Sequence, residues 1–421
     1  MKITRIEVKN FKSFSDEILE IKDLTILIGA NASGKSNTIS LIRFLSNIIN
    51  YGIDDAISLM GGIEYLKNAS SSEKDNIHLK YDLDFSDDNF HLSGKSRSST
   101  YLCLKRIIIE FEIHSAKKGG NYSLQKNNLI VYYDGFDEST KKTYSNYELV
   151  LAKSKSNCEI RKYLLNEEDS FRKWFLEDIK FLDMLKDIFV SRICRNKKEV
   201  YASKIDFLVP GFFDIDNYIK IYDFDVKKMK NSSSILTAKK LDEEGENVAN
   251  VLQTILKSRE KKRKFLNIIR ELLPFVKEIQ VEKNYDKSIS YLIKEKYSNK
   301  KYYSNFLSDG TANIIAIVIA LYFGEDDEFV VIEEPERNLH PQILGKIVEM
   351  AREVSKSKQV IITTHNPELI KNANVEDILF AKRTEEGMTK LQHLSDNEFI
   401  KEFLKNELGI DDLFVNGFLG I

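Results

Sequence analysis

The stretch LTILIGANASGKSNTISLIRFLSNII (residues 24–49) restricts the fold more than any other. An apolar run reads as a buried strand, and apolar residues recur at helical spacing from Lys35 onward. Between them GANASGKS fits GxxxxGK[ST] in the strand-to-helix setting that this spacing requires. Its glycines let the backbone curl, so that amide groups and the helix N-terminus converge on phosphate oxygens. Lys35 is placed to neutralise β- and γ-phosphates, and Ser36 to set its hydroxyl on Mg²⁺. Gly29, Asn31, Ser33, Gly34, Lys35, Ser36 and Asn37 are therefore the candidate nucleotide-binding residues, with ATP and Mg²⁺ as the expected cofactors.

Two further apolar runs end in polar chemistry. FVVIEEPERNLHP (329–341) reads as a buried strand with Glu333 and Glu334 at its C-terminal end, where open α/β sheets bind ligands. Successive strand residues point to opposite faces, so the two carboxylates are expected to do different jobs. Glu333 is assigned to the magnesium shell and Glu334 to polarising the attacking water. QVIITTHNPELI (359–370) brings His365 to the same edge, within reach of the γ-phosphate or that water. A fourth segment, NFLSDGTAN (305–313), is a polar turn opening the apolar run IIAIVIALY.

The elements around these motifs order as an α/β chain. The first third is β-rich, with alternating runs at 77–86, 101–113, 127–135 and 147–153 beside the nucleotide-binding strand. From about residue 157 to 235 apolar residues fall at helical spacing, and from Glu246 two amphipathic helices form a hairpin up to Pro274. The last third alternates strand and helix, the pattern of parallel strands. The expected division is an N-terminal lobe (1–155), a mainly helical insertion (156–277) and a C-terminal lobe (278–421).

Composition narrows the partners. The 63 Lys and Arg nearly cancel the 65 Asp and Glu, giving a formal net charge of -2 and no global pull toward nucleic acid. Three scattered cysteines without a CxxC pair argue against a zinc site or a disulfide framework and suit reducing cytosol. No run approaches the roughly 20 apolar residues of a membrane span, and the charged N-terminus lacks the apolar core of an export signal.

Taken together, IEVKNFKSF, GANASGKSN, GENVANVL, LSDGT, VVIEEPERNLHP and TTHNPELI resemble the ABC-type ATPase heads of the SMC/RecF kind, and more closely the OLD-like prokaryotic ATPases grouped as AAA_21. The resemblance implies an α/β ABC-type P-loop NTPase head: a mixed sheet with flanking helices, an antiparallel β subdomain and a helical insertion. It implies a signature motif around Ser308, Asp309 and Gly310, a D-loop from Arg337 to His340, and a switch role for His365. It also implies Lys12 as a basic residue brought toward the nucleotide. Signature motifs of such heads touch the nucleotide of a second copy, so a head-to-tail homodimer with ATP at its seam is expected, with higher oligomers open. The sequence departs from the pattern at Glu333, where relatives carry aspartate, and offers no Q-loop glutamine. The stretch beyond His365 is too short for a Toprim nuclease domain, so an ATPase-only form is expected.

By analogy the chain is a slow ATP-dependent switch regulating a separately encoded effector, such as a nuclease or toxin, in anti-phage defence. Three other readings stand beside it. A DNA-repair or recombination ATPase would use the basic run KSREKKRK (257–264); a transporter subunit lacks a recognisable coupling element; a nuclease would use Asp82, Asp84, Asp87 and Asp88.

Overall fold

Local sequence sets the local folds in a computed structural model that describes residues 1–72, 74–86, 91–93, 100–115, 121–137, 141–154, 157–164, 218–235, 240–324 and 328–396. The chain divides into two compact units. One comprises Met1–Ile21, Ser36–Tyr218 and Arg383–Leu391, the other Lys22–Lys35, Ile219–Lys382 and Gln392–Ile421.

In the first unit β1 (Lys2–Phe11) and β2 (Phe14–Glu20) form a hairpin in which Phe11 faces Phe14 across the turn at Lys12 and Ser13. The chain leaves through β3 (Leu24–Ile28) of the second unit and returns in α1 (Lys35–Tyr51), followed by the short α2 (Ile53–Leu59) and α3 (Ile63–Leu66). The strands β4 (Ile77–Asp84), β5 (His91–Ser93), β6 (Thr100–Ser115), β7 (Tyr122–Asp137), β8 (Lys142–Ser154) and β9 (Asn157–Leu164) complete an antiparallel sheet. Its order is β2-β1-β4-β6-β7-β8-β9, with β5 also on β6. Helix α1 is seated on this unit by the Tyr81 hydroxyl, which donates to the Leu41 carbonyl at 3.0 Å, and by Phe44 against Phe11 with ring centres 5.9 Å apart.

The second unit opens with β10 (Ile219–Tyr222), α4 (Val226–Lys230) and β11 (Ser233–Ser234). Next come α5 (Val248–Lys257) and α6 (Arg259–Leu272), the expected hairpin, which breaks at Ser258. Ser258 stands in extended backbone, and its hydroxyl accepts from Lys261 N at 3.4 Å, capping α6. The strands β12 (Val276–Lys283), β13 (Ser288–Glu295) and β14 (Lys301–Tyr303) form a small antiparallel sheet with β11. Then come α7 (Asp309–Tyr322), β15 (Phe329–Glu333), α8 (Pro341–Val354), β16 (Gln359–Thr364), α9 (Pro367–Lys371) and β17 (Ile378–Arg383); the following β18 (Thr389–His393) begins with residues of the first unit. In α7 every residue from Thr311 to Leu321 is buried, which is why its sequence is apolar all round.

Strands β10, β15, β16, β3 and β17 lie side by side in that order, and all four pairings are parallel. Tyr222, Ile332, Ile362 and Ile26 share one level of the sheet. All C-terminal ends therefore emerge at one edge, which carries Asp223, Glu333, Thr364 and Gly29. Strands β3 and β16 are buried at every position, as expected of parallel strands covered on both faces.

The structure corrects two local expectations. Helical spacing is read from about residue 157, yet Asn157–Leu164 is a strand paired with β8 and Ile219–Tyr222 a strand paired with β15. Both runs alternate with a period of two over a few residues, and the long helical pattern beside them obscures that signal. The segment between, including Cys194, lies outside the described residues.

Candidate functional site

The phosphate loop is made by backbone conformation. Gly34 has φ 113, in the left-handed region, and Ala32 stands at φ 64. A side chain at Gly29 would put its Cβ 2.4 Å from the Ala381 carbonyl oxygen, so only glycine fits between β3 and β17 there. The Lys35 ammonium, largely buried, donates to the carbonyls of Gly29 at 2.7 Å and Ala30 at 3.0 Å. Burial pulls its pKa below the ordinary lysine value, against the raising influence of Glu334 and Glu336. Lys35 begins α1, whose first turn holds no acidic residue, which suits that helix end to an anion. The loop fits a phosphate chain. Ser36 is exposed at the second position of the helix, and Asn31 is exposed in the loop.

The opposite side of the site is built on Glu334. It comes directly after the last residue of β15 and turns out of the strand with φ 44, its N-H donating to the Thr363 carbonyl at 3.0 Å. The strand, and with it the alternation, ends at Glu333, and Glu334 stands in the turn that follows. Glu333 is half-buried opposite Thr363. Glu334 Oε1 lies 3.0 Å from His365 Nδ1, and its Oε2 accepts from Arg337 Nε at 2.9 Å. Burial pushes the Glu334 carboxyl up, but Arg337 and His365 more than offset it and hold it below the usual glutamate value.

Glu336 is buried behind this group. The Thr364 hydroxyl donates to its Oε1 at 2.5 Å, and Oε2 has no hydrogen-bond donor. Burial raises its pKa despite that bond. Thr364 Oγ1 also accepts from Asn366 N at 2.9 Å, so the turn carrying His365 is tied to Glu336.

The polar turn at Ser308 is an N-cap. Its hydroxyl accepts from Thr311 N at 3.2 Å and lies 2.8 Å from Thr311 Oγ1. Asp309 forms an ion pair with Lys230 at 2.9 Å, which ties α4 to the start of α7. A Cβ at Gly310 would lie 2.6 Å from the Asn338 carbonyl oxygen, so the turn sits directly on the segment after Glu334.

The remaining candidates belong to the first unit. Lys12, at φ 48, donates to Ser40 Oγ at 3.0 Å, and Asn37 donates to Ser13 Oγ at 2.7 Å; both line an open cleft of about 580 Å³. Of the aspartates considered as nuclease ligands, Asp82 is buried in an ion pair with Arg106, and Asp84 accepts from Ser86 N at 2.8 Å. Asp87 and Asp88 lie outside the described residues. Among the described residues no group of three His, Cys, Asp or Glu could hold a metal by itself.

Sequence reasoning missed Asp223, Asn313 and Glu336. Asp223 comes after a short alternating run, IKIY, that a helical reading absorbs. Asn313 and Glu336 sit inside quoted motifs, but their roles come from tertiary contacts.

The chain is similar to Septu protein PtuA of Bacillus thuringiensis, 23% identical over 135 residues that cover 27% of the chain and 34% of the relative. It thus spans about a third of the length of that curated relative. Among solved structures, an SmcHead bound to the C-winged helix domain of ScpA aligns at a TM-score of 0.51 and 15% identity, covering 93% of this chain and 97% of the other. An Smc head domain with an extended coiled coil, bound to the C-terminal domain of ScpA derived from Pyrococcus furiosus, aligns at 0.46 and 13%, covering 96% and 99%. The first of these marks an SMC head-like P-loop ATPase fold. Residues 1–370 match the AAA ATPase domain model AAA_15, and the chain belongs to that family.

Proposed function

We propose that the chain is an ATP-binding and ATP-hydrolysing switch that works as a dimer and regulates a separately encoded effector in defence against phage. One observation carries the ATPase part: a phosphate loop, a carboxylate bonded to a histidine, and a capped signature turn belong to one parallel-sheet core. Lys35 neutralises the β- and γ-phosphates, and the amides of the Gly29–Lys35 loop bind their oxygens. Magnesium, arriving with the nucleotide, supplies charge compensation for the phosphates. Ser36 would offer its hydroxyl to that ion, and Glu333 would belong to its shell through water. Glu334 accepts the proton of the attacking water, and His365 orients Glu334 from its other oxygen.

The dimer follows from the signature turn. Ser308, Gly310 and the N-terminus of α7 form a second anion-attracting end, aimed at the nucleotide of another copy. Such an arrangement is isologous, with two nucleotides at one seam. Slow turnover suits a switch whose closed state must last. The similarity to Septu protein PtuA is in keeping with a defence role and a protein effector.

The test uses Glu334→Gln co-expressed with the neighbouring open reading frames. The variant is expected to retain ATP, shift to a dimer or larger species on a sizing column, and copurify an effector. A variant that neither retains ATP nor changes assembly would sink the switch. Copurified nucleic acid without protein would favour a DNA-repair ATPase.

A further inference from the structure

Arg337, the first residue of the expected D-loop, grips the proposed base. Its Nε donates to Glu334 Oε2 at 2.9 Å, and its Nη1 donates to Asp223 Oδ1 at 2.6 Å. Asp223 is the first residue after β10, which runs parallel to β15, so it emerges at the same sheet edge as the base. The arginine backbone is held from another side. Asn313 of α7, 2% exposed, donates from Nδ2 to the carbonyls of Pro335 at 3.0 Å and Arg337 at 2.8 Å.

These contacts fix more than they stabilise. The Arg337–Glu334 and Arg337–Asp223 pairs are 43% exposed on the arginine side, and ion pairs of that kind contribute about 0–1 kcal/mol. Their geometric effect is larger. A glutamate carboxylate held at one oxygen can still swing; held at Oε2 by an anchored guanidinium and at Oε1 by His365, it has a defined plane. Only a planar fork spans two carboxylates in this way, so lysine cannot replace it.

We propose that Arg337 is a positioning residue for hydrolysis: anchored by Asn313 and Asp223, it fixes the orientation of the Glu334 carboxylate toward the attacking water. This rests on the reading of Glu334 as the water-polarising base.

Steady-state ATPase and ATP-binding measurements on the whole chain test it, with Arg337→Ala, Arg337→Lys, Asp223→Asn and Glu334→Gln in parallel. Arg337→Ala is expected to lower kcat about 10- to 100-fold with KM within about twofold of wild type, the range that slight misplacement of a reacting group produces. Arg337→Lys should not restore the rate. Asp223→Asn should give a smaller loss, and the double variant Asp223→Asn/Arg337→Ala should be no slower than Arg337→Ala alone. An unchanged or raised kcat in Arg337→Ala, or losses that multiply in the double variant, overturns the proposal. Should Arg337→Ala fail to fold, Asp223→Asn decides, since its kcat must fall at constant KM. If Glu334→Gln hydrolyses like wild type, the reading of the base fails and the inference with it; if only the Arg337 variants keep full activity, the positioning role alone fails.

Discussion

The phosphate loop and the Glu334 side of this site are built in opposite ways. Gly29–Lys35 is one contiguous segment whose shape comes from its own backbone, and the Lys35 ammonium bonds within the loop to Gly29 and Ala30. Glu334 depends on partners brought from afar: Asp223 through Arg337, His365 from the next strand, and Asn313 from α7. A contiguous site tolerates change in the rest of the fold but not within itself. A dispersed one spreads its function over many residues, each with a graded effect.

The sharpest break in this comparison is Lys35→Ala. It removes the loop's one cation, and truncating a charged partner in a desolvated contact costs about 2–5 kcal/mol. ATP affinity should fall about 100-fold or more in equilibrium binding, with hydrolysis lost at the same time. On the dispersed side, Gly310→Ala should act differently. The new methyl would meet the Asn338 carbonyl, a backbone atom that cannot rotate away, and overpacking of this kind costs about 1–3 kcal/mol. Alanine's better helix propensity offsets about 1 kcal/mol of that. Thermal unfolding should show a modest loss, while kcat falls more than ATP affinity because Asn338 adjoins Arg337. Equal losses in binding and kcat would erase the distinction between the two sides.

This contrast also explains what could be read in advance. The α/β core, the parallel strands and the helical hairpin follow from apolar periodicity, and the loop follows from glycines at fixed spacing. The N-cap role of Ser308 was legible as a polar turn before an apolar helix. The Asp309–Lys230 pair joins residues 79 apart, and Arg337–Asp223 joins residues 114 apart. No periodicity encodes such contacts. Alternation set Glu333 and Glu334 to different jobs in advance, but the left-handed turn at Glu334, φ 44, leaves no trace in the apolar pattern.

The smallest expected effect belongs to Glu336, the buried carboxylate on the dispersed side. Burial raises its folded-state pKa above the ordinary 4.5. A group with a raised folded pKa favours the folded state fully below its unfolded pKa, and that contribution is lost as pH rises through the folded value. At pH 7 to 8 the folded protein therefore carries the cost of a buried charge, with Oε2 lacking a donor. Glu336→Gln removes the charge and keeps an oxygen to accept from Thr364 Oγ1. Its melting temperature should exceed wild type by about 1 °C at pH 7 to 8, with the gap closing as pH falls toward 4.5. A variant less stable at every pH would mean that the anion is compensated by its surroundings, Lys35 foremost, and that Glu336 belongs electrostatically to the phosphate loop.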